Sequence, residues 1–273
     1  METLSIAAFE IDGTENGDGD HWRVELLHRE RPDRAELLML LEPIAARAKM
    51  KHLRIDVERV PDADWVQEVQ TAMAPRGIGR FWIHGSHVEA KPPEGLVPIE
   101  LNAGLAFGSG EHGTTEGCLE ALDRHARRRR FTKVLDMGCG AGLLAIAAAK
   151  CWPAEITAVD NDPVAVEVAA ENAVINGVDD RFRAVVSQGY RSPTVRRRGP
   201  YDLIMSNILA DPLCHMARDL ARNLTADGVA ILSGLLDRQA ANVAYHHMIH
   251  GLHRRASISI GPWTTLMMSR KNM

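Results

Sequence analysis

Three glycines at alternate positions, Gly138, Gly140 and Gly142, follow the apolar run VLDM and open the apolar run LLAIAAAK. Glycine tolerates the backbone of a sharp strand-to-helix turn, and a turn without side chains lets backbone and helix amides come close to a ligand. The dinucleotide fingerprint G-x-G-x-x-G would need glycine at 143, where the chain has Leu143. Dinucleotide binding is therefore disfavoured. Any tight strand-to-helix turn can use such glycines for its own sake, so the loop gains meaning only from its surroundings.

Asp160 closes the next strand, EITAVD, where a carboxylate can accept hydrogen bonds from both ribose hydroxyls of a nucleoside. Capping the following helix is the alternative task, for which Asn161 and Asp162 are already candidates, with Pro163 suited to the first helical position. The pair favours the G-x-G-x-G loop of S-adenosylmethionine (SAM) methyltransferases. In SNILADP, Asn207 falls at the carboxyl end of the fourth strand, on the edge that carries the glycine loop. An Asn there can accept a hydrogen bond from a target amine and aim the nitrogen lone pair at a sulfonium methyl. Methyl transfer needs a neutral amine in line with the C–S bond, so orientation and desolvation carry the catalysis, and neither metal nor nucleophile is required. A strand-end Asn that supports a turn is the alternative.

These residues need a scaffold, and the pattern from residue 133 onward supplies one. KVLDM, EITAVD, FRAVVS, YDLIMSN and VAILSG read as strands, separated by helical stretches such as GLLAIAAAKC, PVAVEVAAENAVIN and PLCHMARDLARNL. Alternation of this kind predicts parallel strands with helical crossovers, a doubly wound seven-stranded sheet with its ligand crevice at the carboxyl ends of the early strands. The last two strands, around ASISI and WTTLMMS, have no helix between them and predict an antiparallel pair at one edge. The first 60 residues differ: LSIAAFEID, WRVELLH, AELLMLLEPIAARA and LRIDVERV read as strand, strand, helix, strand of a small α+β domain. Residues 61–95 read as a connector, with a helix over DADWVQEVQTAMA, a strand at RFWIHG and a boundary at KPPEG, ahead of a methyltransferase domain at 96–273.

The 273 residues are 45% hydrophobic and 25% charged, as in an ordinary soluble protein, without a membrane span or a secretory signal, which leads to an expected cytoplasmic location. Cys118, Cys139, Cys151 and Cys214 are scattered and read as small buried hydrophobes. His246, His247, His250 and His253 have helical spacing but no H-E-x-x-H companion, and read as a solvated face rather than metal ligands. Trp82 and Trp263 read as packing residues. With a formal net charge of -4, the chain has no global field for nucleic acid, and no direct contact with it is expected. The basic runs at 127–130 and 196–198 read as solvated, one closing a helix and one in a loop; contact with RNA or an acidic surface is the lesser alternative.

The segment NAGLAFGSGEHGTTEGCLEAL precedes the glycine-loop strand, and its Thr114 or Thr115 can begin a helix. AFGSGEHGTT resembles the AFGTGxHxTT segment of the ribosomal protein L11 methyltransferase family, and VLDMGCGAGLLAIAAAK, DNDPVAVEVAAENAVINGV, SNILADPL and ILSGLL follow in that family's order over residues 61 to 273. Ser109 departs mildly from the family's Thr. The resemblance implies that Thr115, Gly138, Asp160 and Asn207 contact SAM or its surroundings, with Phe107 and His112 in the covering loop; His112 is also a candidate proton acceptor. Gly140 and Gly142 join them as cofactor-binding residues. The amino-terminal match is weaker, as though an opening βα unit were reduced, which would also fit a start upstream of Met1.

The expected activity is SAM-dependent transfer of methyl groups to lysine ε-amino or N-terminal α-amino groups of ribosomal protein L11, with Asn207 as the catalytic residue. Methylation of an amine on a different protein, and a non-catalytic SAM-binding module, are the alternatives.

Overall fold

The computed structural model describes residues 3–11, 21–28, 31–47, 54–58, 74–88, 90–102 and 113–270. The chain divides into two compact units, Met1–Ala63 and Asp64–Met273.

In the first unit, β1 (Thr3–Ile11) pairs antiparallel with β2 (His21–His28), and α1 (Arg34–Arg47) follows. The helix buries Leu37 and Ala45. Residues 54–58, expected within a strand, pair with no strand among the described residues. Apolar alternation there supplies a strand's side-chain pattern without naming the strand it would pair with, and Arg54 meets Asp56 in an exposed ion pair of 2.8 Å. Of the expected connector helix, only its last residue lies within the described residues, and it is not helical.

The second unit opens with a three-stranded sheet of β3 (Arg76–Ile78), β4 (Phe81–Gly85) and β5 (Val97–Leu101). KPPEG forms part of the link between β4 and β5, which pair in parallel. Then comes the alternating run: α2 (Gly113–Ala126), β6 (Lys133–Met137), α3 (Leu143–Cys151), β7 (Glu155–Asp160), α4 (Pro163–Ile175), β8 (Phe182–Val186) and α5 (Pro193–Arg198). It continues with β9 (Tyr201–Asn207), α6 (Ala210–Asn223), β10 (Leu224–Leu236), α7 (Asp237–Met248), β11 (Leu252–Ile260) and β12 (Trp263–Arg270). The seven-stranded sheet has the order β11-β12-β10-β9-β6-β7-β8. β12 runs antiparallel to both β10 and β11, so the predicted antiparallel element is one strand wedged between two others.

Strand residues alternate between two apolar layers. Val134, Leu203, Ile231 and Met267 join one cluster with α2, α3 and α4. Their neighbours Leu135, Ile204, Leu232, Leu266 and Met268 join the other with α6 and α7. Two covered faces explain why the strands read as continuous apolar runs. Each fully buried Leu or Ile contributes roughly 1.5–3 kcal/mol over its exposed state, which holds the carboxyl ends of β6, β7, β9 and β10 along one rigid edge. The first of these is flanked by β7 and β9, at the point where the chain's winding reverses. A ligand crevice is expected there.

Candidate active site

β6 ends in the glycine turn. Gly138, Gly140 and Gly142 take left-handed φ of 78°, 52° and 86°, and Gly142 caps α3. The turn is tied to β7 because Gly138 N–H and Cys139 N–H both donate to Val159 O, at 2.7 and 3.0 Å. A Cβ on Gly138 would collide with Ile208 Cγ2. On Gly142 it would sit 3.1 Å from Ala169 Cβ of α4. Both glycines thus have a packing reason in addition to the turn they make.

Asp160, at the end of β7, spans the crevice floor. Its Oδ2 accepts from Gly140 N–H at 2.9 Å and its Oδ1 from Asp162 N–H at 3.1 Å. Capping of α4 falls to Asp162, whose carboxylate accepts from Val164 N–H at 2.9 Å, with Pro163 in the first turn. Asp160 is therefore not idle in the protein, yet two acceptor sites per oxygen leave capacity for the hydroxyls of a ribose.

Asp136 lies behind the turn. It is 1% exposed, its Oδ2 accepts from Ala145 N–H at 3.0 Å, and its Oδ1 has no partner. Burial pushes this carboxyl up to about 7, against the lowering pull of the Ala145 hydrogen bond, and the nearby Asp160 charge raises it further. A buried oxygen without a donor costs about 1–3 kcal/mol, so it is suited to a donor or cation brought by a ligand. In the sequence Asp136 stands out with the glycines of the loop but was given no role of its own; an acid just before a glycine loop in an otherwise apolar strand was the available signal. Cys139 in the same turn is no nucleophile, since burial, followed by the charges of Asp136 and Asp160, holds its thiol well above the ordinary range.

Asn207 ends β9 on this edge and is partly buried. Its Nδ2 donates to Thr115 Oγ1 at 3.3 Å, which turns the side-chain carbonyl away from Thr115. Thr115 is 3% exposed in the first turn of α2, which begins at Gly113, ahead of the threonines expected to start it. A buried polar chain anchors that turn: Ser233 Oγ bonds Thr114 O at 3.0 Å and Thr265 Oγ1 at 2.8 Å. A Cβ on Gly117 would strike Thr265, so α2 rests directly on β12. Ile208 N–H donates to Ser233 O at 3.2 Å, and the Ile208 backbone occupies the space that a Cβ on Gly234 would need. Ile208 is thus pinned between Gly138 and Gly234, and Asn207 is pinned with it.

Two asparagines, one in α4 and one capping its carboxyl end, were also missed. Asn172 is fully buried; it accepts from Asn102 N–H at 2.9 Å and donates to Ala141 O at 2.9 Å and Asn102 O at 3.3 Å. One helical turn later, Asn176 accepts from Glu100 N–H at 3.1 Å and donates to Glu100 O at 2.7 Å. Their carboxamides mimic a neighbouring strand along the edge of β5 and join it to the glycine turn. Spacing of four residues on a helix was the only signal. Phe107 and His112 lie outside the described residues.

The other candidates separate from the crevice. His247 is fully buried rather than solvated, with Nδ1 2.9 Å from Val243 O, while His246 is half-buried. Cys118 and Cys139 are buried, Cys151 and Cys214 only partly so. Trp82 packs in the core. Arg196, Arg197 and Arg198 form the last turn of α5 rather than a loop. Among the described residues no group of three or more His, Cys, Asp or Glu could hold a metal, and no helix is long and apolar enough to cross a membrane.

A doubly wound sheet with a left-handed glycine turn, an Asp at the next strand end and an orphaned buried carboxylate oxygen fits SAM, and defines a SAM-dependent methyltransferase domain. The family model described as ribosomal protein L11 methyltransferase (PrmA) matches residues 5–271. The chain belongs to that family, and the match takes in the amino-terminal region, well beyond the stretch from 61 on which the sequence motifs rested. Ribosomal protein L11 methyltransferase of Rhizobium meliloti (strain 1021) is 40% identical over 98% of this chain and 90% of its own. That of Bradyrhizobium diazoefficiens is 40% identical, with 99% and 92% covered. The crystal structure of ribosomal protein L11 methylase from Lactobacillus delbrueckii subsp. bulgaricus superposes with a TM-score of 0.64 at 29% identity, covering 71% of this chain and 96% of that one.

Proposed function

We propose that this chain transfers methyl groups from SAM to lysine ε-amino or N-terminal α-amino groups of ribosomal protein L11, and that Asn207 orients the amine. The observation that carries the reading is the bond from Asn207 Nδ2 to Thr115 Oγ1, because it commits the amide end inward and leaves the carbonyl as an acceptor on the crevice edge. SAM supplies an electrophilic methyl on a sulfonium and leaves as a thioether. Asp160 takes the ribose hydroxyls on the oxygens that already fix Gly140 and Asp162. The unpartnered Oδ1 of Asp136 accepts from the ligand's cationic amino group, directly or through water. Gly138, Gly140 and Gly142 keep the turn free of side chains, and Thr115 fixes Asn207. Phe107 is assigned to the cover over the cofactor by resemblance alone. The Asn207 carbonyl accepts one hydrogen of a neutral amine; as the N–C bond forms and the C–S bond breaks, that hydrogen points the nitrogen lone pair along the transfer axis. The amine's proton passes to solvent.

Incubating the chain with methyl-tritiated SAM and a bacterial lysate tests the assignment. A labelled band at the position of L11 is expected, and label confined to another protein would move the substrate elsewhere. No label under conditions where SAM binds would leave a binding module.

A further inference from the structure

The two arginine runs lie far apart in sequence and meet at one edge of the seven-stranded sheet. Arg127–Arg130 lead from α2 into β6, and Arg196–Arg198 lead from α5 into β9, the parallel neighbour of β6. Both runs therefore stand at the amino edge, opposite the cofactor crevice. Asp202 stitches them together, accepting from Thr132 N–H at 2.7 Å and Lys133 N–H at 3.0 Å. Arg129 reaches Asp227 at the start of β10, at 2.9 Å. A Cβ on Gly199 would lie 3.3 Å from Asn223 Oδ1, which brings the end of α6 and Arg222 to the same edge.

Some of these cations serve the fold. Arg127 pairs with Asp123, Arg129 with Asp227 while lying over the Phe131 ring, and Arg198 donates to Thr157. Arg128, Arg130, Arg196, Arg197 and Arg222 are exposed and have no side-chain hydrogen bond or ion pair among the described residues. Asp202 and Asp227 are already engaged. The carboxyl ends of α2, α5 and α6 point here, but at about half a charge each they offset at most about one and a half of these five cations. The whole-chain charge of -4 does not cancel the remainder, because charges beyond about 10 Å are screened at ordinary salt.

We propose that this amino edge of the sheet is a contact surface for the phosphate backbone of RNA. Guanidinium forks match phosphate oxygens bidentately, and the five exposed cations without a side-chain partner are all arginines, with Lys133 half-buried beside them. None of the exposed large hydrophobic side chains falls in segments 127–133, 196–202 or 222–228, so the edge offers neither a stacking platform for bases nor an anchor for lipid. Contact is therefore independent of sequence and carried by charge. It leaves the cofactor edge open, and it stands apart from the methyl-transfer reading.

Anisotropy of a labelled, unstructured RNA titrated with the full chain tests this. Four to five phosphate contacts on a single strand predict an affinity that falls about fifty- to a hundred-and-thirtyfold between about 50 and 200 mM salt. A variant with Arg128→Glu, Arg130→Glu, Arg196→Glu and Arg197→Glu should bind RNA at least tenfold more weakly, with a flatter salt dependence; the Arg→Gln series should fall between. Methylation of free L11 by both should be unchanged, which also shows that they fold. Reversal at Lys91 and Arg183 should leave RNA binding as it was. Equal RNA binding by variant and parent overturns the proposal, as does equal or tighter binding to polyglutamate or to anionic vesicles.

Discussion

Asn207 donates from Nδ2 to Thr115 Oγ1 across 3.3 Å, and this bond joins the end of β9 to the first turn of α2. If the carbonyl so exposed orients the amine, Asn207→Ala lowers kcat on the order of a hundredfold, comparable to loss of one well-placed orienting group, while SAM affinity changes little. Thr115→Val keeps the shape and removes the acceptor, so it should lower kcat less than Asn207→Ala does. Steady-state kinetics with calorimetry of SAM binding on the same preparations checks both. Near-normal kcat in Asn207→Ala would reduce the residue to a turn former.

Asp160→Ala should weaken SAM by about 1.5–3 kcal/mol through loss of charge-assisted bonds to the ribose. It should also lower the melting temperature, because Gly140 N–H and Asp162 N–H lose their acceptor. Asp160→Asn restores an acceptor to the protein and should recover most of the stability but only part of the affinity. Equal recovery of both would make Asp160 a structural residue alone.

Gly234 touches no ligand in this account, yet Gly234→Ala should depress kcat, because the new Cβ must displace the Ile208 backbone and Asn207 with it. The left-handed φ of 85° adds strain of roughly 1–2 kcal/mol. Gly140→Val instead places a branched side chain at a φ of 52° in the ligand turn and should abolish SAM binding. Calorimetry on the folded variants separates the two effects: SAM binding retained in the first and lost in the second.

The Asp136 carboxyl gives a pH signature. Its folded value is raised to about 7 from an ordinary 3.8, so the stability it contributes is fully present below about 3.8 and is lost as pH rises through about 7. Relative to Asp136→Asn, the unliganded protein should therefore lose melting temperature as pH rises from about 4 to about 7, the span of the shift. A cation on Oδ1 favours the ionised form, so SAM affinity should rise with pH over the same range in the parent and stay flatter in Asp136→Asn. Parallel melting curves for the two proteins would contradict the burial argument.

His247 carries the opposite sign. Burial lowers its pKa from 6.5, with the neighbouring His246 and His250 acting in the same direction against its bond to Val243 O. Its stabilising contribution holds above about 6.5 and is lost as pH falls through the lowered value. His247→Leu should flatten the acid side of the melting profile, and an unchanged profile would place the acid sensitivity elsewhere.

The glycine turn, Asp160, Asn207 and the strand–helix alternation were legible because each is a short local pattern: apolar strand, turn residue, apolar helix. What sets their geometry was not. Ser233 and Thr114 lie 119 residues apart, Asn207 and Thr115 92 apart, and Asn172 and Asn102 70 apart. A serine or threonine inside an apolar strand carries no mark of the partner it will meet. His247 shows the same limit: helical spacing placed it on a helix but did not say which face would be covered, and His247 falls on the buried one. The segment 54–58 has the alternation of a strand but pairs with none among the described residues, because local alternation does not specify a partner.

The most direct test is the intact mass of purified L11 after incubation with SAM and the parent chain, Asp160→Ala or Asn207→Ala. The account predicts that the parent adds mass in whole methyl increments, recovered on hydrolysis as methylated lysine or a methylated amino-terminal residue. Asp160→Ala should recover the same product at raised SAM concentration, and Asn207→Ala should remain slow at saturation. An L11 mass that does not change with the parent chain, while SAM binds it normally, would contradict the assignment.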